Sequence, residues 1–104
     1  MRLRRDPFRD VIARQLDLFV EDGADLLAEC REKYRIYDRA PRDEAEEAYG
    51  DFVDVVETAT EALADMRDRF ARTLDEDVGE AYEESFNRAV RKRWPELGLE
   101  IENR

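Results

Sequence analysis

The sequence predicts an all-α fold: a long antiparallel helical hairpin, about residues 7–38 and 42–72, then a shorter third helix, about 75–94, and a short C-terminal tail. Three observations predict it. Apolar residues recur at alternating spacings of three and four. Only four glycines and three prolines interrupt 104 residues, and the prolines stand where helices would begin or end. The length suits a single domain, residues 1–104.

The first helix of the hairpin is expected to begin at Asp6-Pro7, where a capping side chain precedes a proline at the first helical position. Gly23 lies inside its apolar stripe and lowers helix propensity by ~1 kcal/mol relative to alanine. We expect this glycine to allow close approach of a neighbouring helix rather than to break the chain. The stripe comprises Ile12, Leu16, Phe19, Leu26, Cys30 and Tyr37.

The second helix follows a short connection that contains Pro41, a residue well suited to open a helix. So short a connection requires the two helices to be antiparallel neighbours. Its stripe alternates four and three residues over almost four heptads, a pattern typical of coiled coils. The stripe comprises Ala45, Tyr49, Phe52, Val56, Ala59, Leu63, Met66 and Phe70.

The third helix is predicted to start at a capping box, with Thr73 at the cap and Glu76 three residues later. The alternative is a second helix that continues through residue 74. Apolar side chains then recur every four residues up to Trp94, where Pro95 stops the helix. They are Val78, Tyr82, Phe86, Val90 and Trp94.

The tail alternates apolar and polar residues over 97–102, which indicates an extended segment rather than a helix. Three placements remain open for it: docking across the bundle, pairing with the edge of another chain, or loose packing.

The charge of the chain argues against nucleic acid as a partner. Twenty-eight acidic and eighteen basic residues give a formal charge of −10, which repels a phosphate backbone. The basic residues gather in the first 14 positions and in 88–93; these segments could adjoin in the fold, but a solvated rim is the simplest interpretation. No apolar run approaches the ~18–20 residues of a membrane span. With no signal-peptide pattern and one cysteine, we expect a cytoplasmic protein that binds no membrane.

Candidate catalytic chemistry is sparse. The chain has no histidine, so the commonest general base and transition-metal ligand is missing. Carboxylates do recur at the helical spacings Asp51-x-x-Asp54, Asp54-x-x-Glu57 and Glu29-x-x-Glu32. This spacing resembles that of the all-α nucleotide pyrophosphohydrolases of the MazG kind, and implies magnesium-dependent nucleotide hydrolysis as an alternative function. Because Asp51 and Asp54 are expected opposite the apolar seam, we predict no catalytic residue, cofactor or metal.

The lengths of the helices point to an interface instead. Two helices of 31 or 32 residues span ~48 Å, whereas the third spans ~28 Å and covers only the half of the hairpin near Phe8 and Phe70. The uncovered half should therefore be an apolar two-helix ribbon, which self-association into a four-helix bundle would bury. The candidate interface comprises Cys30, Tyr34, Tyr37, Tyr49, Phe52 and Val53.

The sequence thus favours a non-catalytic interaction or assembly protein, a homodimer that is open to other protein partners. A third hypothesis is an acidic protein that binds a basic surface on another protein.

Overall fold

A computed structural model describes residues 6–104, with only the backbone described at residues 98 and 99. Within these residues the chain forms helices and no strands, which confirms the predicted all-α class. The helices are α1 (Arg9–Asp22), α2 (Ala24–Arg39), α3 (Ala45–Ala71), α4 (Glu76–Arg93) and α5 (Pro95–Glu102).

The predicted first helix is two helices, because the chain breaks at Gly23. The N–H of Gly23 still donates to the carbonyl oxygen of Phe19 at 2.7 Å, but its φ of −104° and ψ of 21° are not helical. A Cβ at this position would lie 2.9 Å from that same oxygen. The expectation that Gly23 would leave the helix intact was therefore wrong; the glycine permits the chain to change direction. As a result α1 packs against α4, while α2 packs along α3.

The α2–α3 connection forms the predicted antiparallel turn. Ala40 ends α2 in an extended conformation, with ψ of 136°, as the residue before a proline prefers. Pro41 opens a turn rather than the helix itself, since the N–H of Glu44 donates to the Pro41 carbonyl at 2.9 Å and α3 begins at Ala45.

The break between the second and third predicted helices is confirmed, but its cap is not the one expected. Asp75, with an extended backbone, is the N-cap of α4 and makes no side-chain cap hydrogen bond. The Thr73 hydroxyl instead donates back to the carbonyl of Phe70 at 2.7 Å. A capping box centred on Thr73 was therefore wrong by two residues, because the hydroxyl closes the end of α3.

The C-terminal tail is a helix, not the extended segment that its alternation suggested. Pro95 occupies the first turn of α5, where its missing N–H costs nothing. Leu97 and Ile101, four residues apart on one face, are 1% and 0% exposed. They fill the space between α3 and α4, so tertiary burial overrides the local period-two pattern.

The core confirms most of the apolar stripe of α4, where Tyr82, Phe86 and Val90 are fully buried. At the base of the bundle, the Tyr82 ring contacts Phe8 edge-on at 5.5 Å and Phe70 at 4.8 Å. The third predicted helix therefore closes this end, as the helix lengths indicated.

Candidate interaction site at the helical tip

The tip of the molecule consists of the second half of α2, the turn, and the first half of α3. Four aromatic side chains meet across the two helices. The ring centroids of Tyr34 and Phe52 lie 5.5 Å apart, and those of Tyr37 and Tyr49 lie 5.1 Å apart. Tyr37 also stacks on Phe52, with 7° between the ring planes. We call Tyr34, Tyr37, Tyr49 and Phe52 the tip aromatic cluster.

Much of this cluster faces solvent. Tyr34 and Tyr49 are 52% and 51% exposed, and Tyr37 and Phe52 are half-buried. Val53, the next residue on α3, is also half-buried. Aromatic rings that are neither enclosed nor isolated form an amphipathic surface of the kind that proteins use at interfaces.

Cys30 takes a different position from the other predicted interface residues, since it belongs to the core. It is 6% exposed, and its thiol lies 3.7 Å from the carbonyl oxygen of Val55, to which it donates. Burial, with a smaller contribution from the carboxylates of Glu29 and Glu96, raises the pKa of this thiol. A buried thiol of raised pKa behaves as a small apolar side chain.

A cleft of about 620 Å³ adjoins the cluster, with Cys30 as part of its lining and Tyr34 and Phe52 at its side. Its far wall is the start of α5, Pro95 and Glu96. The sequence could not place this wall, because it predicted an extended tail. The signal available was Pro95 itself, which suits the first turn of a helix as well as it ends one.

Ile36 is an exposed apolar residue of the tip that the periodic stripes missed. It is 46% exposed and lines a second groove, of about 720 Å³, beside the turn. Arg35 and Arg39 line this groove from α2, and Glu44 and Glu47 line it from the α3 side. Ile36 does not belong to the periodic stripe of the first predicted helix, so nothing in that pattern marked the residue.

Charge divides the tip between its two helices. Residues 31–39 of α2 carry four basic and two acidic side chains, whereas residues 43–54 carry six acidic side chains and no basic one. One arm of the tip is therefore net positive and the other strongly negative.

The carboxylates of the hydrolase alternative are spread over the α2–α3 surface. Glu29, Asp51 and Asp54 line one shallow depression, together with Lys33. Among residues 6–104, no three carboxylate or thiol groups lie where they could hold one metal ion. In the same part of the chain, no helix has the length and apolar character needed to cross a membrane.

Comparison of the chain with protein-family models, curated proteins and solved structures finds no match. The fold and the site alone therefore define its class: an all-α bundle from which an aromatic two-helix ribbon projects.

Proposed function

We propose that this chain is a non-catalytic interaction protein that forms a homodimer through the tip of its α2–α3 hairpin. The observation that carries the proposal is that Tyr34 and Tyr49, in one aromatic cluster, are each about half exposed to solvent. A second copy of the ribbon would cover these rings and complete a four-helix bundle.

The charge pattern of the tip supports a second copy as the occupant. Two chains of net charge −10 repel each other at long range. Pairing therefore needs local complementarity, and the positive arm of α2 and the negative arm of α3 supply it in one chain. In a two-fold dimer the positive arm of each chain faces the negative arm of the other, so both arms are paired in both chains. A partner surface of one charge sign would pair with only one of the two arms.

The test replaces the two most exposed rings of the cluster with carboxylates. In the double variant Tyr34→Glu/Tyr49→Glu we expect the dimer dissociation constant to rise at least about tenfold, because aromatic anchors dominate interface energies. Size-exclusion chromatography with light scattering gives the mass at several concentrations. Circular dichroism should show unchanged helicity, since both side chains are half exposed in the monomer.

The matched control is Leu18→Glu/Val78→Glu. These side chains are 48% and 43% exposed, lie on α1 and α4, and add the same two negative charges away from the tip. We expect this variant to dimerise like the unaltered protein. Equal weakening by both double variants would show that added charge, not the tip, decides association, and would contradict the proposal.

A further inference from the structure

A second surface, remote from the tip, lies where α1 and α4 pack side by side. A groove of about 630 Å³ runs between them. Its floor is apolar: Ala13 and Ala89 are accessible there, and Ile12 and Leu16 beneath them are each 3% exposed. The lining residues from 9 to 16 on α1 and from 85 to 93 on α4 extend over about two helical turns, or ~12 Å.

The walls of this groove are basic although the chain as a whole is acidic. Five cationic side chains line it and one carboxylate, Asp6, stands against them. The five are Arg9, Arg88, Arg91, Lys92 and Arg93. The fold therefore places the start of α1 beside the basic last turn of α4. The basic residues that the sequence led us to expect on a solvated rim line a concave surface.

Three of these cations have ion-pair partners within the chain. Arg88 lies 3.7 Å from Asp6, Arg93 lies 3.0 Å from an Asp17 carboxylate oxygen, and Arg91 pairs with Glu102. The side chains in these pairs are all more than a third exposed, so each pair contributes little and can exchange partners.

The other two cations are better placed for a ligand. Within residues 6–104, no ion pair engages Arg9 or Lys92, and both side chains are exposed. The groove therefore combines available positive charge with an apolar floor.

We propose that this groove docks an acidic amphipathic helix of a partner protein. Apolar side chains on one face of such a helix would lie on Ala13, on Ala89 and on the aliphatic parts of the arginine side chains, and carboxylates beside them would meet Arg9 and Lys92. A small inorganic anion would leave the apolar floor unused. A nucleic acid strand would extend beyond two helical turns onto a chain of net charge −10. This proposal concerns a different surface from the tip and does not rest on dimerisation.

The probe for this site is a designed 18-residue fluorescent peptide whose two central helical turns carry leucines at helical spacing with glutamates beside them, and whose ends are uncharged. We expect saturable binding by fluorescence anisotropy, weakened about tenfold or more when salt rises from ~0.05 to ~0.5 M. Two altered peptides separate the contributions of charge and apolar contact: one has glutamine for every glutamate, and the other has serine for every leucine. Both should bind at least about tenfold more weakly than the parent peptide.

The variant Arg9→Glu/Lys92→Glu should abolish peptide binding, because it reverses the two available charges. Arg14→Glu/Arg69→Glu is the matched control, since it makes the same change in net charge at two exposed positions outside the groove; we expect it to bind within about threefold of the unaltered protein. Equal loss in both variants would overturn the proposal. So would full binding of the leucine-to-serine peptide, or binding of heparin or anionic phospholipid vesicles but not of the acidic peptide.

Discussion

The guanidinium of Arg67, on α3, donates a hydrogen bond of 3.0 Å to the main-chain oxygen of Ile101, in the last turn of α5. The same group donates to the main-chain oxygen of Arg104 and to the side chain of Asn87, each at 2.9 Å. Carbonyl oxygens at a helix C-terminus lack partners within the helix, and a cation there also complements the helix dipole. Arg67 is 3% exposed, so one buried arginine joins α3, α4 and α5.

Loss of this arginine should release α5. For Arg67→Ala we expect the free energy of unfolding to fall by about 3 kcal/mol, because Asn87 and the main-chain oxygens of Ile101 and Arg104 lose a charged hydrogen-bond donor. Amide hydrogen exchange in residues 95–102 should accelerate more than exchange in α4. The stability of Arg67→Lys should lie between that of the unaltered protein and that of Arg67→Ala, since an ammonium group cannot bridge all three acceptors. The control is Arg69→Ala, which alters an exposed neighbour on α3. Unchanged hydrogen exchange in α5 of the Arg67→Ala variant would contradict the role of Arg67 in holding α5.

Two glycines should respond in opposite directions to the same substitution. Gly50→Ala adds a methyl group with nothing within 4 Å, inside a helix, and should stabilise the protein by about 1 kcal/mol. Gly23→Ala should destabilise it, because its Cβ would meet the Phe19 carbonyl at 2.9 Å and α1 would have to shift from α4. Thermal unfolding of both variants at one protein concentration compares them. A Gly23→Ala variant as stable as Gly50→Ala would show that the break at residue 23 is not required.

Alkaline pH should destabilise the fold through Tyr82. Burial raises the pKa of Tyr82 from 10.0 to about 12, and the protonated hydroxyl donates a hydrogen bond of 2.7 Å to Gln15. Below pH 10 the phenol is protonated in both states, and its contribution to stability is complete. As pH rises from 10 to 12 only the unfolded state ionises, so the free energy of unfolding should fall by about 3 kcal/mol.

Urea unfolding across this pH range measures the effect. Tyr82→Phe is the control, because it keeps the ring and removes the ionisable group. Its stability should fall by less over the same range. An identical fall in both proteins would assign the alkaline loss to other groups.

The sequence correctly predicted the helices in which the residues of the periodic apolar stripe are the residues that the fold buries. The α4 stripe of Tyr82, Phe86 and Val90 is an example, since all three are fully buried. The prediction of an extended tail was wrong because contacts distant in sequence determine its conformation. The segment forms α5, in which Leu97 and Ile101 fill the gap between α3 and α4. The sequence also gave no indication of the role of Arg67. No local pattern predicts that an arginine will be buried beside the end of a helix 34 residues later in the chain.

The tip was predictable in part for the same reason. Helix lengths predicted that half of the hairpin would lack cover, and the periodic stripes contained three of the four residues of the tip aromatic cluster. Cys30 is buried and lines one cleft with Pro95 and Glu96 at the start of α5, whereas Tyr49 is exposed. The alternating pattern of the tail did not predict this position of α5.

Sedimentation equilibrium of the unaltered protein tests the proposed self-association most directly. We expect the apparent mass to rise with concentration from the 12.3 kDa of one chain to a plateau at twice that value. For Tyr34→Glu/Tyr49→Glu the rise in mass should require a concentration at least about tenfold higher. A single species of 12.3 kDa at every concentration up to the millimolar range would contradict dimerisation through the tip.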